Sequence, residues 1–564
     1  QPADPVELDG SDAAALFIAR ARVAQPGFGV TPTNVAAVAT ICRRLDGLPL
    51  ALELAAARVR VLGAAQVAAH LDDRFRLLTG GESVTSRHQT LATCLDWSYD
   101  ALPEAEQRLL QRLAVFPQHF DLDAATAVDG GEPDVLGVLD LLARLVDKSL
   151  VVPDGAAETA RYHLLETVRQ YAAAKLAAGG DQDDAATCHR RYFVGLVEEW
   201  HRRGERFMAT AWMNREAADR QNFHTALVNA LRAGDSESVS VLVAGLWLPW
   251  YITGSASPAV SSIDPGTLGC ANPSLHVDAL IGFNVVPKMS TSDRSLDDLA
   301  PLLDQAVDVA DERGDGWDQA WARCMLAYVL RSRGEVARAR ALMEEALARY
   351  EEDHSAVGLT YVHYELGWVD MTAGDVAAAG RHFRCALAFS EGATGYDVLI
   401  PATWSGLALA DAAEGRTAAA LAGARKAIES ARPLAGPAYL VMALLRAAQA
   451  AAVVGEPAPA ELVEMLHLVR RQGGRHWVSE ALTMAALFHE AEGRPDLAAR
   501  LFGGATAVAE ALGENPEPIP TVGALVRDAR HRLATALGAE FAEQESVGQH
   551  MSSAALLRAA ADAV

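Results

Sequence analysis

Apolar residues recur at helical spacing through most of the chain. The segment 11–25 places Ala15, Ala19 and Val23 on one helix face, and Ser11 precedes them as a candidate N-cap. Similar three- and four-residue spacings continue to the last residues of the sequence. The pattern predicts a mainly α protein.

One helical stretch, residues 43–60, contains a break that a plain helix does not need. Leu48 and Leu52 lie four positions apart on one face. Pro49 suits a first helical turn, because the missing N–H would be unpaired there, and Gly47 lets the chain turn just before it. The stretch predicts a tight turn followed by a helix.

Residues 91–176 combine helices with a short hairpin. Helical spacing predicts three helices, over 91–99, 103–114 and 136–146. Asp154-Gly155 lies between two short apolar runs, 149–152 and 160–164, a pattern typical of a β-hairpin turn.

The second half of the chain repeats itself. Glycines recur at intervals of 40, 41, 40 and 38 residues, at Gly334, Gly374, Gly415, Gly455 and Gly493. A small residue lies seven positions before each one, at Ala327, Gly367, Ala408, Ala448 and Ala486. Alanine follows five positions after each, and twelve positions after in four cases, with His467 as the exception. Small residues allow paired helices to approach closely, so the spacing predicts helix pairs like tetratricopeptide repeats, with a longer period.

Such pairs stack into a superhelix with a concave face that binds peptides, proteins or small ligands. Five tryptophans are candidates to line that face: Trp317, Trp321, Trp368, Trp404 and Trp477. Aromatic residues at helical spacing pack in a core more often than they form a site, so core packing stays open for each.

Composition agrees with packed helices, since 51% of the residues are hydrophobic and 22% are charged. Lys and Arg number 49 against 73 Asp and Glu, a net charge of −24. This field repels phosphate backbones, so no direct nucleic-acid partner is expected for this segment.

Cysteine usage and the apolar runs bear on location. The six cysteines form no CxxC or Cys/His cluster, which fits a reducing compartment, and they are interpreted as buried small hydrophobes. The N-terminal residues show no signal-peptide pattern. The most apolar run, 241–252, is shorter than the ~20 residues of a spanning helix and contains Pro249. A cytoplasmic protein without a membrane partner is expected.

No catalytic motif is complete. His489-Glu490 begins an H-E-x-x-H pattern, but Gly493 replaces the second zinc ligand. Ser405 lacks the glycine that a G-x-S-x-G elbow requires. Whether the chain is part of an enzyme is therefore left open, with no catalytic residue and no metal site assigned.

Several segments together resemble the middle of actinobacterial STAND-type regulatory ATPases. The segments are GLPLALELAA, RHQTLATCLDWSYDALPEAEQRLLQRLAVFPQHF, VLDLLARLVDKSLVV and RYHLLETVRQYAAAKL. These signal-transduction ATPases are related to the NB-ARC proteins and occur in regulators of the LuxR and antibiotic-regulator type and with adenylate cyclases. The resemblance implies a helical arm over 1–85, a winged-helix module over 86–180, degenerate helical repeats with a loop insertion over 181–315, and a tetratricopeptide-like α-solenoid over 316–564.

The resemblance also implies an ATP/ADP cofactor held outside this chain. The P-loop pattern G-x-x-x-x-G-K-S/T is absent here, and its expected place is upstream, in an ATPase of which this chain is a fragment. Leu48 and Pro49 would pack near the adenine. Leu165 and Glu166 align with the last two positions of the Met-His-Asp motif, where the family histidine reaches the ADP phosphates, and Leu165 departs from that histidine.

The sequence thus predicts the regulatory, ligand-sensing part of a STAND ATPase and transcriptional regulator, whose helical repeats bind a protein or small-molecule effector. The alternative is a stand-alone tetratricopeptide-like scaffold without a nucleotide cycle. A third hypothesis is direct DNA binding through residues 91–176. The effector and the output domain, DNA-binding or cyclase, are not predicted.

Overall fold

A computed structural model shows a mainly α protein in two compact units, residues 1–192 and 193–564. The described residues are 11–45, 49–69, 95, 99–100, 102–130, 134–148, 150–154, 160–203, 209–253, 259–260, 263–269, 271–289, 296–313, 316–393, 395–434, 437–456, 458–472, 477–512, 515 and 519–564. The predicted fold class is confirmed. The four predicted domain limits stay predictions.

The first unit begins with three helices, α1 (Asp12–Ala24), α2 (Val35–Arg44) and α3 (Pro49–Ala69). The Ser11 hydroxyl accepts a hydrogen bond from the Ala14 amide and so caps α1 as predicted. Phe17, Ile41 and Leu52 are fully buried in one core between these helices. The helix after the glycine-proline break begins at Pro49, as the pattern predicted.

A winged-helix module follows in the same unit. Its elements are α4 (Glu104–Leu113), α5 (Leu122–Asp129), α6 (Val135–Asp147), β1 (Val152–Asp154), β2 (Arg161–His163) and α7 (Glu166–Gly179). The two strands pair antiparallel, with Pro153 opposite Tyr162. The Tyr162 amide and carbonyl also bond Phe120, which extends the wing by one bridge.

The structure corrects two details of this module. The first strand begins later than the predicted 149–152, because the amides of Leu150 and Val151 bond the Leu145 carbonyl and close the end of α6. Helix α5 was not predicted. It has only 8 residues, and its signal is local: Asp121 accepts a hydrogen bond from the Ala124 amide at one end and Gly130 ends it at φ 80°.

The second unit is built from helices. They are α8 (Gln182–Arg202), which begins in the first unit, then α9 (Thr210–Ala233), α10 (Ser236–Thr253), α11 (Pro273–Met289), α12 (Leu296–Arg313), α13 (Gly316–Ser332), α14 (Val336–Glu352), α15 (Ala356–Ala373), α16 (Val376–Ser390), α17 (Leu399–Ala413), α18 (Thr417–Ala431), α19 (Ala438–Val454), α20 (Pro459–Gln472), α21 (Val478–Ala491), α22 (Pro495–Leu512), α23 (Pro520–Leu537), α24 (Glu540–His550) and α25 (Ser553–Asp562).

Helices α13 to α22 form the five predicted hairpins. Each repeat glycine lies in the turn between the two helices of a pair, with φ between 72° and 87°, where a side chain would be strained. The small residues seven positions earlier pack against the partner helix, and a Cβ at Gly367 would lie 2.5 Å from the Phe383 ring. The tetratricopeptide-like solenoid is therefore present.

The fourth hairpin departs from the predicted spacing. Its turn continues to Ala458, so α20 begins four residues after Gly455 instead of two. Ala460 and His467 consequently lie on the exposed side, and Leu462 and Val469, two positions later, take the buried places. This shift explains why His467 breaks the alanine pattern.

Two further expectations can be compared with the structure. The apolar run 241–252 lies in α10, and residues 241–250 are all buried, as expected for a core helix. In the part of the chain that the structure describes, no helix is long and apolar enough to span a membrane. The cysteine interpretation was partly wrong: Cys42 and Cys324 are buried, whereas Cys188 is half-buried and Cys385 is exposed.

Candidate functional site

The inner side of the solenoid contains a cavity of about 170 Å³. The first helix of each of the five hairpins lines it, namely α13, α15, α17, α19 and α21, together with Trp247 of α10 and Ile519 before α23. All lining residues belong to the second unit. The cavity is the place where five consecutive repeats converge.

The repeat register locates the cavity. The residue thirteen positions before each repeat glycine lines it in all five hairpins: Trp321, Tyr361, Ala402, Met442 and Glu480. The position nine residues before the glycine contributes Met325, Glu365 and Arg446. Sequence reasoning selected tryptophans by residue type and missed this shared position, which the glycine spacing already contains.

Three of the five candidate tryptophans line the cavity, Trp321, Trp368 and Trp477. Trp317 and Trp404 lie elsewhere. The Trp317 ring packs against Tyr350 with centroids 5.8 Å apart, and the Lys426 ammonium lies 4.2 Å above the Trp404 ring. Trp404, eleven positions before Gly415, is out of register with the cavity-lining positions, whereas Trp317 shares the register of the lining residue Ala438 but packs on Tyr350 instead.

Eight of the residues that line the cavity are aromatic. They are Trp247, Trp321, Tyr328, Tyr361, Tyr364, Trp368, Tyr439 and Trp477. Some of these rings are neighbours: the centroids of Trp247 and Trp321 are 6.2 Å apart, and those of Trp321 and Tyr361 are 5.1 Å apart. Helix α17 contributes only the aliphatic side chains of Leu399 and Ala402 to the lining.

One end of the cavity is organised around Arg446. Its guanidinium carbon lies 4.8 Å from the Trp368 ring and 5.8 Å from the Trp477 ring, within cation–π range of both. Its two terminal nitrogens bond Glu480, and one also donates to Gln449 Oε1 at 2.7 Å. Trp477 adopts φ 67°, a strained value for a bulky residue, and such strain is common at binding sites.

The other end carries Glu365 and Arg331. The Arg331 guanidinium lies 3.7 Å from the Glu365 carboxylate, and the Tyr361 hydroxyl donates to that carboxylate at 3.3 Å. Only 4% of the Glu365 side chain is exposed. Burial raises the pKa of Glu365, and Arg331 and the Tyr361 hydroxyl oppose this rise.

Some buried donors on this wall have no acceptor. Among the residues that the structure describes, no acceptor bonds Nε1 of Trp247 or Trp368, or Nε of Arg331 or Arg446. Buried donors without partners cost free energy, so these groups are suited to a ligand that accepts hydrogen bonds.

The site residues predicted by resemblance lie in the first unit. Leu48 is outside the described residues, and of Pro49 only the backbone, at the first position of α3, is described. Leu165 immediately precedes α7, and Glu166 begins it and accepts two hydrogen bonds from Arg169, at 2.7 and 2.8 Å. The Leu165 side chain has no donor and the Glu166 carboxylate accepts from Arg169, so only their backbone amides could donate to a phosphate, and the assignment of both residues to the nucleotide stays a prediction.

The exposed face of α6, the third helix of the winged-helix module, is mixed in character. Leu136 is 74% exposed and Leu139 38% exposed, and Asp140 and Arg144 are exposed on the same face. Residues 102–177 contain twelve Asp and Glu against seven Lys and Arg. Helices that enter a DNA groove carry donors and positive charge on this face, and on α6 Arg144 stands there beside two leucines and an acidic residue.

The discarded zinc motif has a structural role. His489 is fully buried, and its Nε2 lies 3.0 Å from the Ala560 carbonyl oxygen, which ties α21 to α25. Within the described residues, no group of three or more His, Cys, Asp or Glu side chains is arranged to hold a metal ion.

Comparison with known proteins identifies the module in the first unit. The model of the winged helix-turn-helix domain family matches residues 102–177. A protein of Mycobacterium tuberculosis, named as a candidate HTH-type transcriptional regulator, is 51% identical over 188 residues, which are 33% of this chain and 21% of that protein. A second, named only as an uncharacterised protein, is 43% identical over 185 residues, 32% of this chain and 47% of that protein. The matches thus span about a fifth to a half of these actinobacterial relatives.

Among solved structures, the chain is similar to a Signal Transduction ATPase with Numerous Domains (STAND) protein with a tetratricopeptide repeat sensor from Pyrococcus horikoshii. The identity is 12% and the TM-score 0.38, over 96% of this chain and 75% of the other. A likeness this weak carries no argument about fold or function, and the fold described above rests on the helices of this chain.

Proposed function

We propose that this chain is the regulatory, effector-sensing part of a STAND-type signal-transduction ATPase that acts in transcriptional control. The observation that carries the proposal is the aromatic cavity at which five repeats converge. A ligand bound there contacts the first helix of every hairpin at once. It therefore favours one arrangement of the solenoid over others in proportion to its differential affinity for them.

The regulatory context is supported by the winged helix-turn-helix match and by the mycobacterial relative named as a candidate regulator. In this proposal the ATP or ADP site lies in a core outside residues 1–564, because the sequence contains no G-x-x-x-x-G-K-S/T pattern to hold the phosphates. The exposed Leu136 and Leu139 of α6 fit a contact with protein better than one with DNA.

The nucleotide part of the proposal is tested by denaturing two purified products and measuring released nucleotide. One is this chain, and the other is extended upstream by about two hundred residues, the size of one domain. We expect ADP from the extended product only. Pro49→Ala in the extended product is then expected to reduce the ADP retained, relative to a matched Pro153→Ala variant in the wing.

The alternative, a stand-alone scaffold, predicts a different result. Nucleotide released from neither product contradicts the switch and favours a scaffold whose repeats bind a partner protein. Nucleotide released from the unextended chain would contradict the placement of the nucleotide site outside residues 1–564.

A further inference from the structure

The charges lining the cavity are already paired. Arg446 is bound to Glu480, and Arg331 lies 3.7 Å from Glu365. Each guanidinium thus faces its own carboxylate, so the lining residues that the structure describes offer no uncompensated charge to an ionic ligand. An anion would have to compete with Glu480 or Glu365, and a cation with Arg446 or Arg331. An uncharged ligand disturbs neither pair.

The shape of the wall favours a flat molecule. The Trp321 and Tyr361 rings both line the cavity, with centroids 5.1 Å apart, and Ala402 contributes a short side chain to the same lining. Trp321 is itself fixed, because its indole nitrogen donates to Asp278 Oδ1 at 3.1 Å. Rings held in place in this way stack on a planar aromatic body at little cost in conformational entropy.

Most of the described buried polar atoms on the cavity wall that lack a hydrogen-bond partner are donors. Nε1 of Trp368 and Nε of Arg446 and Arg331 are buried and bond no acceptor among the described residues. Trp368 is 4% exposed and lines the cavity beside Arg446. Such a nitrogen bonds a carbonyl or ether oxygen of a ligand once its side chain turns towards the cavity, whereas a pure hydrocarbon leaves it unpaired.

We propose that the cavity binds an uncharged, flat aromatic molecule that carries carbonyl or ether oxygens. This inference rests on the proposed function only where it calls the ligand an effector. Binding itself is a property of the second unit and needs no nucleotide. A sugar fits less well, because each hydroxyl also brings a donor that needs an acceptor, and Glu365 and Glu480 already face guanidinium groups.

Calorimetric titration of the full chain with four probes tests this. Coumarin is uncharged, flat and carbonyl-bearing; naphthalene has the same size and no acceptor; benzyltrimethylammonium is a cation; glucose is a sugar. We expect coumarin to bind about tenfold more tightly than naphthalene, because only coumarin satisfies a buried donor. The proposal is overturned if naphthalene binds as tightly as coumarin or more tightly, or if the cation or the sugar binds in preference to coumarin. It is also overturned if coumarin does not bind at millimolar concentration.

Variants locate the site. Trp368→Phe keeps a ring and removes the indole donor, so the preference for coumarin over naphthalene is expected to fall severalfold. Trp404→Phe, outside the cavity, is the matched control and should leave the preference unchanged. Ala402→Leu fills open space at the wall and should weaken both probes. Unchanged binding in both Trp368→Phe and Ala402→Leu would place the coumarin elsewhere and contradict the assignment.

The two proposals fail separately. If the extended product retains ADP but this chain does not bind coumarin, only the proposed ligand class is overturned. Coumarin binding without retained nucleotide overturns only the nucleotide switch.

Discussion

At the scale of single residues, the solenoid depends on where side chains are absent. Phe383 of α16 packs against Gly367 of α15 and Gly406 of α17, and a Cβ at either glycine would meet its ring. The ring thus fills a space that two glycines in successive hairpins leave open. The small-residue spacing predicted the close approach at Gly367, whereas Gly406 lies outside that spacing.

The first prediction follows from that contact. Gly367→Ala is expected to destabilise the second unit by about 1–3 kcal/mol, because the added Cβ overpacks against the Phe383 ring. Gly195→Ala is the matched control: Gly195 is also inside a helix, but nothing lies within 4 Å of its Cβ position. Alanine there should be neutral or stabilising by up to about 1 kcal/mol. Urea unfolding of both variants measures the difference, and equal midpoints would contradict the packing account.

The second prediction concerns His363, whose Nδ1 lies 2.9 Å from Nδ1 of His382. Burial, and then His382, lower the pKa of His363 from 6.5 to about 4. The other charged groups near the pair are Asp370, Arg340, Arg381 and Glu344. As pH falls from about 6.5 towards 4, the unfolded chain takes up a proton that the folded chain does not, so stability decreases over that window.

His363→Gln removes this proton uptake. We therefore expect the thermal midpoint of the wild-type chain to fall more than that of His363→Gln when pH is lowered from about 7 to about 5. Parallel decreases in the two proteins would show that other groups account for the acid sensitivity.

At the scale of elements, the fourth hairpin tests how the turn sets the register of the next helix. The longer turn after Gly455 moves the buried side of α20 by two positions, to Leu462 and Val469. Leu462→Ala is expected to cost about 2–5 kcal/mol of stability, as deletion of a buried leucine side chain does. His467→Ala, at the position that the alanine pattern would have buried, should change stability by no more than about 0.5 kcal/mol. Urea unfolding distinguishes this register from the unshifted one, which predicts the opposite order.

The wing module supports a fourth prediction. Residues 102–177 carry more acidic than basic side chains, and Leu136 and Leu139 are exposed on α6. Neither feature attracts a DNA backbone. We expect no retardation of random duplex DNA in a gel shift at low salt, where non-specific binding is strongest. The opposite result would be retardation that disappears when the salt concentration is raised. If Lys148→Ala reduced that retardation and Lys426→Ala, in the second unit, did not, the module would make a direct DNA contact.

The sequence allowed the hairpins to be predicted more fully than the site. Helix pairs follow from the repeat glycines, because a positive φ and a close helix approach each require particular residue types at fixed spacing. The cavity depends on which helix position faces inward, and neither Ala402 nor Met442 is conspicuous as a residue type. Their shared place, thirteen residues before the glycine, becomes informative only when hairpins are stacked. Helix α5, which the sequence analysis did not predict, is too short for a helical period to be recognised in its sequence.

At the scale of the molecule, the two compact units have separate cores. One core cluster, which includes Phe17 and Val67, lies wholly in the first unit, and another, which includes Trp368 and Leu557, lies wholly in the second. Units with their own cores unfold as separate cooperative transitions unless the contact between them is large. We therefore expect two transitions in calorimetry of this chain.

The fifth prediction is that a cavity ligand shifts one of these transitions and not the other. All lining residues belong to residues 193–564, so a ligand at about one hundred times its dissociation constant should stabilise that unit by about 2.7 kcal/mol. Coumarin is the test ligand, and Ala402→Leu, which fills the cavity, is the variant in which the shift should be reduced. If the ligand moved both transitions equally, or if only one transition appeared, the two units would be thermodynamically coupled, and occupation of the cavity would stabilise the winged-helix module as well.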